Sequence, residues 1–356
     1  MLPIILGLDG PTLTDADRDR IDRYQPAGFI LFTRNIVDAA QTRALTDELR
    51  ERCEHSPLIG IDNEGGRVWR TAGLGPTPPN AALFGAKATF QQAAQFGALA
   101  GRQLEMLGVN LDFAPVLDID HEPEDANALR GRCWGSDSQK IIDYAGNFNR
   151  WLRKNGVLSC GKHFPAGGRA RVDPHHDLPI VEAPLEGLLG SDLIPYTALA
   201  PELDAIMIAH IRYPSLDSEH PSSLSKPIVT NLLRNQLGYK GLIITDDLDM
   251  GAITQHYGRG PDFELAWLAG NDLPLLCHAL DTIDLVAEAF ERLPLDRRLD
   301  IEALLAKKLK KLPRAPYFNL DTFEKGNQDL AKLTREITGE DSFVTEEATQ
   351  SPVEDY

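Results

Sequence analysis

The run Gly156-Val157-Leu158-Ser159-Cys160-Gly161 leads directly into Lys162-His163-Phe164-Pro165-Ala166-Gly167-Gly168. A short apolar run without polar alternation suits a strand covered on both faces, as in a parallel sheet. A cation, an imidazole and a glycine-rich loop follow at once, and Asp173-Pro174-His175-His176 comes soon after. A strand core has no use for that inventory. A site that holds a polar ligand and moves protons does.

The same design recurs along the chain. Strand-like runs cover Ile4–Leu8, Gly28–Phe32, Pro57–Ile61, Asn110–Ala114, Val157–Gly161, Ala205–Ala209, Gly241–Thr245 and Asp272–Cys277. Amphipathic helical segments lie between them, among them Ala40–Cys53, Phe90–Leu107, Ile141–Asn155, Pro227–Leu237, Glu264–Ala269 and Leu280–Arg292. Eight strands alternating with helices predict an α/β fold of the (β/α)8 TIM-barrel type. A doubly wound sheet is the alternative, but the first strand is not followed by the dinucleotide glycine fingerprint. In a barrel the C-terminal strand ends converge on one mouth. Here those ends carry Asp9, Arg34-Asn35, Asp62 with Glu64, Asp118 with Asp120, Lys162-His163, His210 and Asp246-Asp247. Residues 1–316 are expected to form the barrel. Residues 317–356 hold ten acidic and three basic side chains, which predicts an acidic extension with a helix over Asp321–Ile337 and disorder from Thr338.

Charge and cysteine usage narrow the function classes. The net charge of −17 leaves no basic face for phosphates, which argues against nucleic acid and anionic membranes as partners. The N-terminal Met1-Leu2-Pro3-Ile4-Ile5 lacks the basic start of a signal peptide and reads as a first core strand. No run approaches the ~18 apolar residues of a membrane helix. Cys53, Cys133, Cys160 and Cys277 are scattered without a CxxC pair, which predicts reduced thiols in a cytoplasmic protein.

Several constellations could carry chemistry. Asp246 and Asp247 end an apolar strand, where a carboxylate is costly unless paired or used. Asp247 is expected to cap the following helix. Asp246 is expected to act as nucleophile or as stabiliser of an oxocarbenium ion. In Asp173-Pro174-His175 the carboxylate can fix the imidazole tautomer for acid–base work, or the segment is a surface turn. His163, His175 and His176 fit no tight metal-ligand spacing. Asp62 can accept paired hydrogen bonds from sugar hydroxyls, or can pair with Arg67 or Arg70. Arg132 can clamp a ligand or lie in solvent. Trp69 and Trp134 can stack on a sugar, though most tryptophans pack in a core.

Together these segments resemble glycoside hydrolase family 3, in its branch of single-domain bacterial β-N-acetylhexosaminidases. The resemblance runs from about Ile4 to Leu312 and rests on quotable stretches. They are Gly28-Phe29-Ile30-Leu31-Phe32-Thr33-Arg34-Asn35, Asp62-Asn63-Glu64-Gly65-Gly66-Arg67-Val68 and Asn110-Leu111-Asp112-Phe113-Ala114-Pro115-Val116. Lys162-His163-Phe164-Pro165, Asp173-Pro174-His175 and Thr245-Asp246-Asp247-Leu248-Asp249-Met250 complete the set. The resemblance implies Asp246 as nucleophile and His175, oriented by Asp173, as acid/base. It implies that Asp62, Arg70, Arg132, Lys162 and His163 bind a terminal N-acetylglucosamine. It implies retention of configuration, no metal and no organic cofactor. The implied partner is a small carbohydrate or muropeptide substrate, with peptidoglycan recycling as its setting. The chain departs from the family's Lys-His-Phe-Pro-Gly-His-Gly loop, with Ala166 and Gly167 in place of glycine and the second histidine. Arg169 and Arg171 follow where small residues are usual, and proline replaces serine inside the dyad. Two alternatives therefore stand beside the glycosaminidase. One is a β-glucosidase or phosphorylase on the same barrel, the arginines accepting phosphate. The other is a sugar-binding protein without catalysis.

Overall fold

The apolar runs become strands in the computed structural model, which describes residues 1–121 and 128–343. In chain order they are β1 (Leu2–Leu6), β2 (Pro26–Leu31), β3 (Leu58–Ile61), β4 (Asn63–Gly65), β5 (Val68–Trp69) and β6 (Leu111–Asp112). Then follow β7 (Leu158–Phe164), β8 (Ala205–Ile208), β9 (Leu242–Asp247) and β10 (Leu273–Leu276). Eight of them close a parallel barrel in the order β1-β10-β9-β8-β7-β6-β3-β2. Closure pairs Ile5 with Leu275, which removes the sheet edges and rules out the doubly wound alternative. β4 and β5 form a small antiparallel hairpin beyond the end of β3.

Two strands run further than their apolar patterns. β7 continues through Lys162 and His163, because Phe164 still pairs with Ile208 of β8. β9 continues through Asp247, which pairs with Leu275. Charged residues are thereby built into the barrel wall at its mouth. The peptide bonds Lys162–His163, Ala114–Pro115 and Phe164–Pro165 are cis.

The helices Phe90–Met106 and Ser138–Lys154 start at side-chain caps, Thr89 and Asp137. They meet closely at Gly97, where a Cβ would collide with the Phe148 carbonyl. Beside this contact Phe84 stacks on Phe96 at 4.9 Å, and Trp134 lies against Tyr144 at 6.1 Å. Trp69 and Trp134 are buried in this aromatic cluster, so both pack in the core. A last helix, Leu320–Thr338, buries Phe323, Leu330, Leu333 and Ile337 and packs on Phe90–Met106. Gly339–Phe343 turn back from it to Thr77; most of the segment expected to be disordered, residues 344–356, lies outside the described residues. Among the described residues no helix is long and apolar enough to cross a membrane. All four cysteines are free and buried.

Candidate active site

The barrel mouth is organised around Glu64, carried by the hairpin. Its carboxylate takes a two-pronged contact from Arg132, with Nε–Oε2 at 2.8 Å and Nη2–Oε1 at 2.7 Å. Lys162 Nζ lies 2.7 Å from the same Oε1 and 2.5 Å from Asp62 Oδ1. All four side chains are buried. Buried charges persist only when paired and hydrogen-bonded, and these satisfy one another. Burial opposes each charge, but Asp62 and Glu64 together hold the Lys162 ammonium above the ordinary lysine range. For Glu64, Arg132 and Lys162 outweigh burial and hold the carboxyl well below the usual range. Asp62 is therefore committed to Lys162 rather than to Arg67 or Arg70. Arg70 is fully buried, its guanidinium 5.7 Å from the Phe32 ring centre and its backbone N–H 3.4 Å from the Asp62 carbonyl. The structure brings Arg70 beside Asp62 but not onto the cleft wall.

His163 follows Lys162 on β7. Its Nδ1 lies 2.7 Å from Asp118 Oδ2, and its Nε2 lies 3.3 Å from Arg132 Nη2. Asp118 Oδ1 accepts the Gly167 N–H at 2.6 Å, tying the glycine loop to the same carboxylate. A Cβ on Gly167 would stand 2.9 Å from Asp118 Oδ2, which gives a physical reason for glycine where the family has histidine. Tyr213 donates to the Ala166 carbonyl at 2.6 Å, and Arg169 pairs with Asp192 at 2.7 Å. Arg169 is thus engaged on Asp192, away from the role of phosphate acceptor.

Asp173 and His175 form the pair expected from their spacing. His175 Nδ1 lies 2.5 Å from Asp173 Oδ1, and the His175 N–H donates to the same oxygen at 3.0 Å. Burial would raise the Asp173 carboxyl, but the hydrogen bond and charge of His175 hold it below its usual range. Three bonds hold this loop to the segment after β9. Gly251 and Ala252 donate their N–H groups to the His175 and Pro174 carbonyls at 3.0 and 3.1 Å. Gln255 Nε2 donates to the His176 carbonyl at 2.6 Å. His176 itself is exposed. Among the described residues, no three His, Cys, Asp or Glu side chains converge as a metal site requires.

Asp246 faces this arrangement from β9. Burial opposes its charge, but the imidazoles of His163, His210 and His175 and the Lys162 ammonium hold its carboxyl below the usual range. Arg132, His163, His175 and Asp246 line one cleft enclosing about 450 Å³ with its mouth, walled elsewhere by apolar residues such as Leu129 and Ile211. Asp247 is not a helix cap. Its Oδ1 accepts the Asp249 N–H at 3.0 Å, and the next helix, Gly251–Thr254, follows Met250 without a side-chain cap. The N–H groups at its start are taken by the carbonyls of the dyad loop, which makes a cap unnecessary.

Three contributors were visible as strand-end residues without being assigned a site role. Glu64 joins Arg132 to Lys162, and Asp118 joins His163 to the loop. His210 is fully buried, with Nδ1 2.7 Å from Ser223 Oγ and Nε2 2.8 Å from the Asp247 carbonyl. Burial lowers its pKa, and through the Asp247 carbonyl the ring props the backbone beside Asp246. A polar residue at a strand end was the only signal each offered.

Comparison with known proteins agrees with this geometry. Residues 6–303 match the glycosyl hydrolase family 3 N-terminal domain. The chain is 33% identical over 291 residues to a β-hexosaminidase of Pseudomonas aeruginosa, covering 82% of this chain and 86% of that one. Neisseria gonorrhoeae NagZ, solved with N-trifluoroacetyl-D-glucosamine, superimposes with TM-score 0.81 at 27% identity, covering 93% and 97%. A fungal multi-domain β-N-acetylglucosaminidase superimposes with TM-score 0.88 at 27% identity, covering 94% of this chain but 42% of that one. Buried carboxylate–cation pairs, a histidine–carboxylate dyad and a strand-end aspartate at one barrel mouth, with these likenesses, make the chain a glycoside hydrolase belonging to glycosyl hydrolase family 3.

Proposed function

We propose that the protein is a retaining exo-β-N-acetylglucosaminidase that releases terminal β-linked N-acetylglucosamine from peptidoglycan-derived fragments. The observation that carries the reading is that Asp246 and the Asp173-bound His175 line one cleft, with the Asp246 carboxyl held below its usual range. Asp173 engages His175 at Nδ1, so the transferable proton belongs to Nε2. Asp62, Arg132, Lys162 and His163 hold the sugar, with Arg70, which lies off the cleft wall, behind Asp62. Asp246 attacks the anomeric carbon while His175 gives its proton to the departing oxygen. The glycosyl–Asp246 ester then breaks as His175 takes a proton from water and the hydroxide adds to the same carbon. Two inversions give net retention. Retaining glycosidases usually place a second carboxyl about 5–5.5 Å from the nucleophile, and like charges that close oppose ionisation. An imidazole in that place removes the conflict.

The sugar assignment draws on the N-acyl glucosamine bound by the gonococcal relative. The test is nitrophenol release from the aryl β-N-acetylglucosaminide by the protein and by Asp246→Ala. Equal rates would overturn the nucleophile. Faster release from the aryl β-glucoside would overturn the sugar. Product appearing as sugar 1-phosphate in phosphate buffer would overturn hydrolysis. Mass spectrometry after a slow fluoro-sugar substrate should find the label on Asp246.

A further inference from the structure

Arg70 opens a loop, residues 71–79, that returns to the hairpin carrying Glu64. On its inner side, Asn63 Nδ2 donates to Thr71 Oγ1 at 2.9 Å, and the Gly66 N–H donates to the Pro78 carbonyl at 3.0 Å. Gly65 approaches Pro79 so closely that a Cβ would stand 2.6 Å from its carbonyl oxygen. The loop contains three prolines and two glycines and adds few apolar side chains to the core, so its backbone must be satisfied from outside.

The chain's last described segment supplies those bonds. Asn327, on the helix Leu320–Thr338, donates from Nδ2 to the Leu74 carbonyl at 2.8 Å. Its Oδ1 accepts from Gln103 Nε2, which fixes the amide's orientation. Gly75 lies against this amide with no room for a Cβ. Beyond the helix, Gly339 turns the chain at φ 90°. Ser342 Oγ then accepts the Thr77 N–H at 3.0 Å, and the Phe343 N–H donates to the Thr77 carbonyl at 2.8 Å. Both backbone groups of Thr77 are thus taken by a segment some 265 residues away in the chain. The path from Phe343 to the cleft is short: Thr77, Pro78, Gly66, Glu64, then Arg132 and Lys162.

We propose that residues 320–343 are a positioning element for sugar binding, with Asn327 and Ser342 holding loop 71–79 and through it Arg70, Asp62 and Glu64. This rests on the reading of Asp62 and Arg132 as sugar-holding residues, Glu64 being the carboxylate that Arg132 and Lys162 share. The segment lies beyond the matched family domain, which ends at residue 303. It acts on the sugar side of the cleft alone, since the dyad loop is anchored on Gly251, Ala252 and Gln255 instead.

The experiment compares the full chain with Asn327→Ala, with a chain ending at Asp341 and with a chain ending at Phe343. For the first two variants, KM for the aryl β-N-acetylglucosaminide should rise about three- to tenfold, as the loss of one or two hydrogen bonds allows. Their kcat should stay within about twofold, because a positioning loss is a loss of uniform binding. The chain ending at Phe343 keeps the Thr77 bonds and should match the full chain in both constants. Amide hydrogen exchange should rise in residues 62–80 of the first two variants while β7 and β9 stay protected. Unchanged KM and unchanged exchange at 62–80 would overturn the proposal. So would a kcat loss with a general fall in Tm, which marks overall destabilisation. Raised exchange at 62–80 with unchanged KM would keep the clamp and overturn the sugar-holding reading of Asp62 and Arg132, which separates the two failures.

Discussion

Two halves of the cleft are built by opposite means. The side proposed to hold the sugar stands on strand ends and a hairpin, and its charges are locked pairwise: Asp62 with Lys162, Glu64 with Lys162 and Arg132. The side proposed to move the proton stands on a loop, where Asp173 is half-buried and the backbone is fixed by carbonyls docked on Gly251 and Ala252. On the proposed roles, the difference couples binding to fold stability and leaves acid–base chemistry independent of it. A strand-borne charge cannot be removed without leaving its partners stranded in the interior. A loop-borne imidazole can.

The first way to test that contrast is at the point where both halves meet. Asp246→Ala should cost roughly 10⁶-fold in kcat, as removal of the nucleophile does in a covalent serine mechanism. Single-turnover kinetics with a good leaving group would measure it. Next, His175→Ala should cost about 10²–10⁴-fold in kcat, the usual weight of a general acid. Asp173→Asn should cost less, and Tm should barely move in either. Glu64→Gln turns the prediction round. Two cations would share a buried site with one carboxylate fewer, at a cost of about 3–5 kcal/mol. Thermal unfolding should show a large drop in Tm, together with a higher KM. If His175→Ala lowers Tm as much as Glu64→Gln does, the two halves are not different in kind.

Smaller effects sharpen the same comparison. Gly251→Ala places a Cβ 2.7 Å from the His175 carbonyl and 2.8 Å from that of His176, so the dyad loop must shift. Its kcat should fall by about tenfold with KM nearly unchanged, since a displaced acid weakens only the chemical step. The smallest effect depends on pH. Burial opposes the Asp192 charge, but hydrogen bonds from His121, Arg169 and Ser191 hold its pKa down to about 2. A carboxyl depressed in the folded state stabilises above its unfolded value and loses that contribution as pH falls toward the folded one. The Tm gap between the protein and Asp192→Asn should therefore be full at pH 6 and narrow as pH drops from about 4 toward 2. A gap that widens on acidification would remove Asp192 as the anchor of Arg169.

The barrel was legible because each of its strands announces itself as an apolar run, and observed strands begin within two residues of the runs. Strand ends were less legible. A pattern of apolar residues stops where the first charge appears, whereas pairing continues through Lys162-His163 and Asp246-Asp247 because neighbouring strands still offer partners. The dyad was legible because both members lie within three residues of each other. Glu64 was not, since its meaning comes from Arg132 and Lys162, 68 and 98 residues away in the chain. Asp247 was misread for the same reason. A local cap was expected, but the helix that follows is satisfied by a distant loop.

The closing pair of the barrel has a consequence for how the protein is made. β1 is translated before every other strand of the barrel, and every residue of it is apolar and buried in the finished fold. Its second neighbour, β10, is translated some 270 residues later. At about 5–20 residues per second, β1 waits roughly 14–54 s with one edge open. An open apolar edge is a template for pairing with other chains. Slowing translation between β2 and β10 should therefore raise the insoluble fraction, and early chaperone engagement should act on β1 rather than on the polar loops at the barrel mouth.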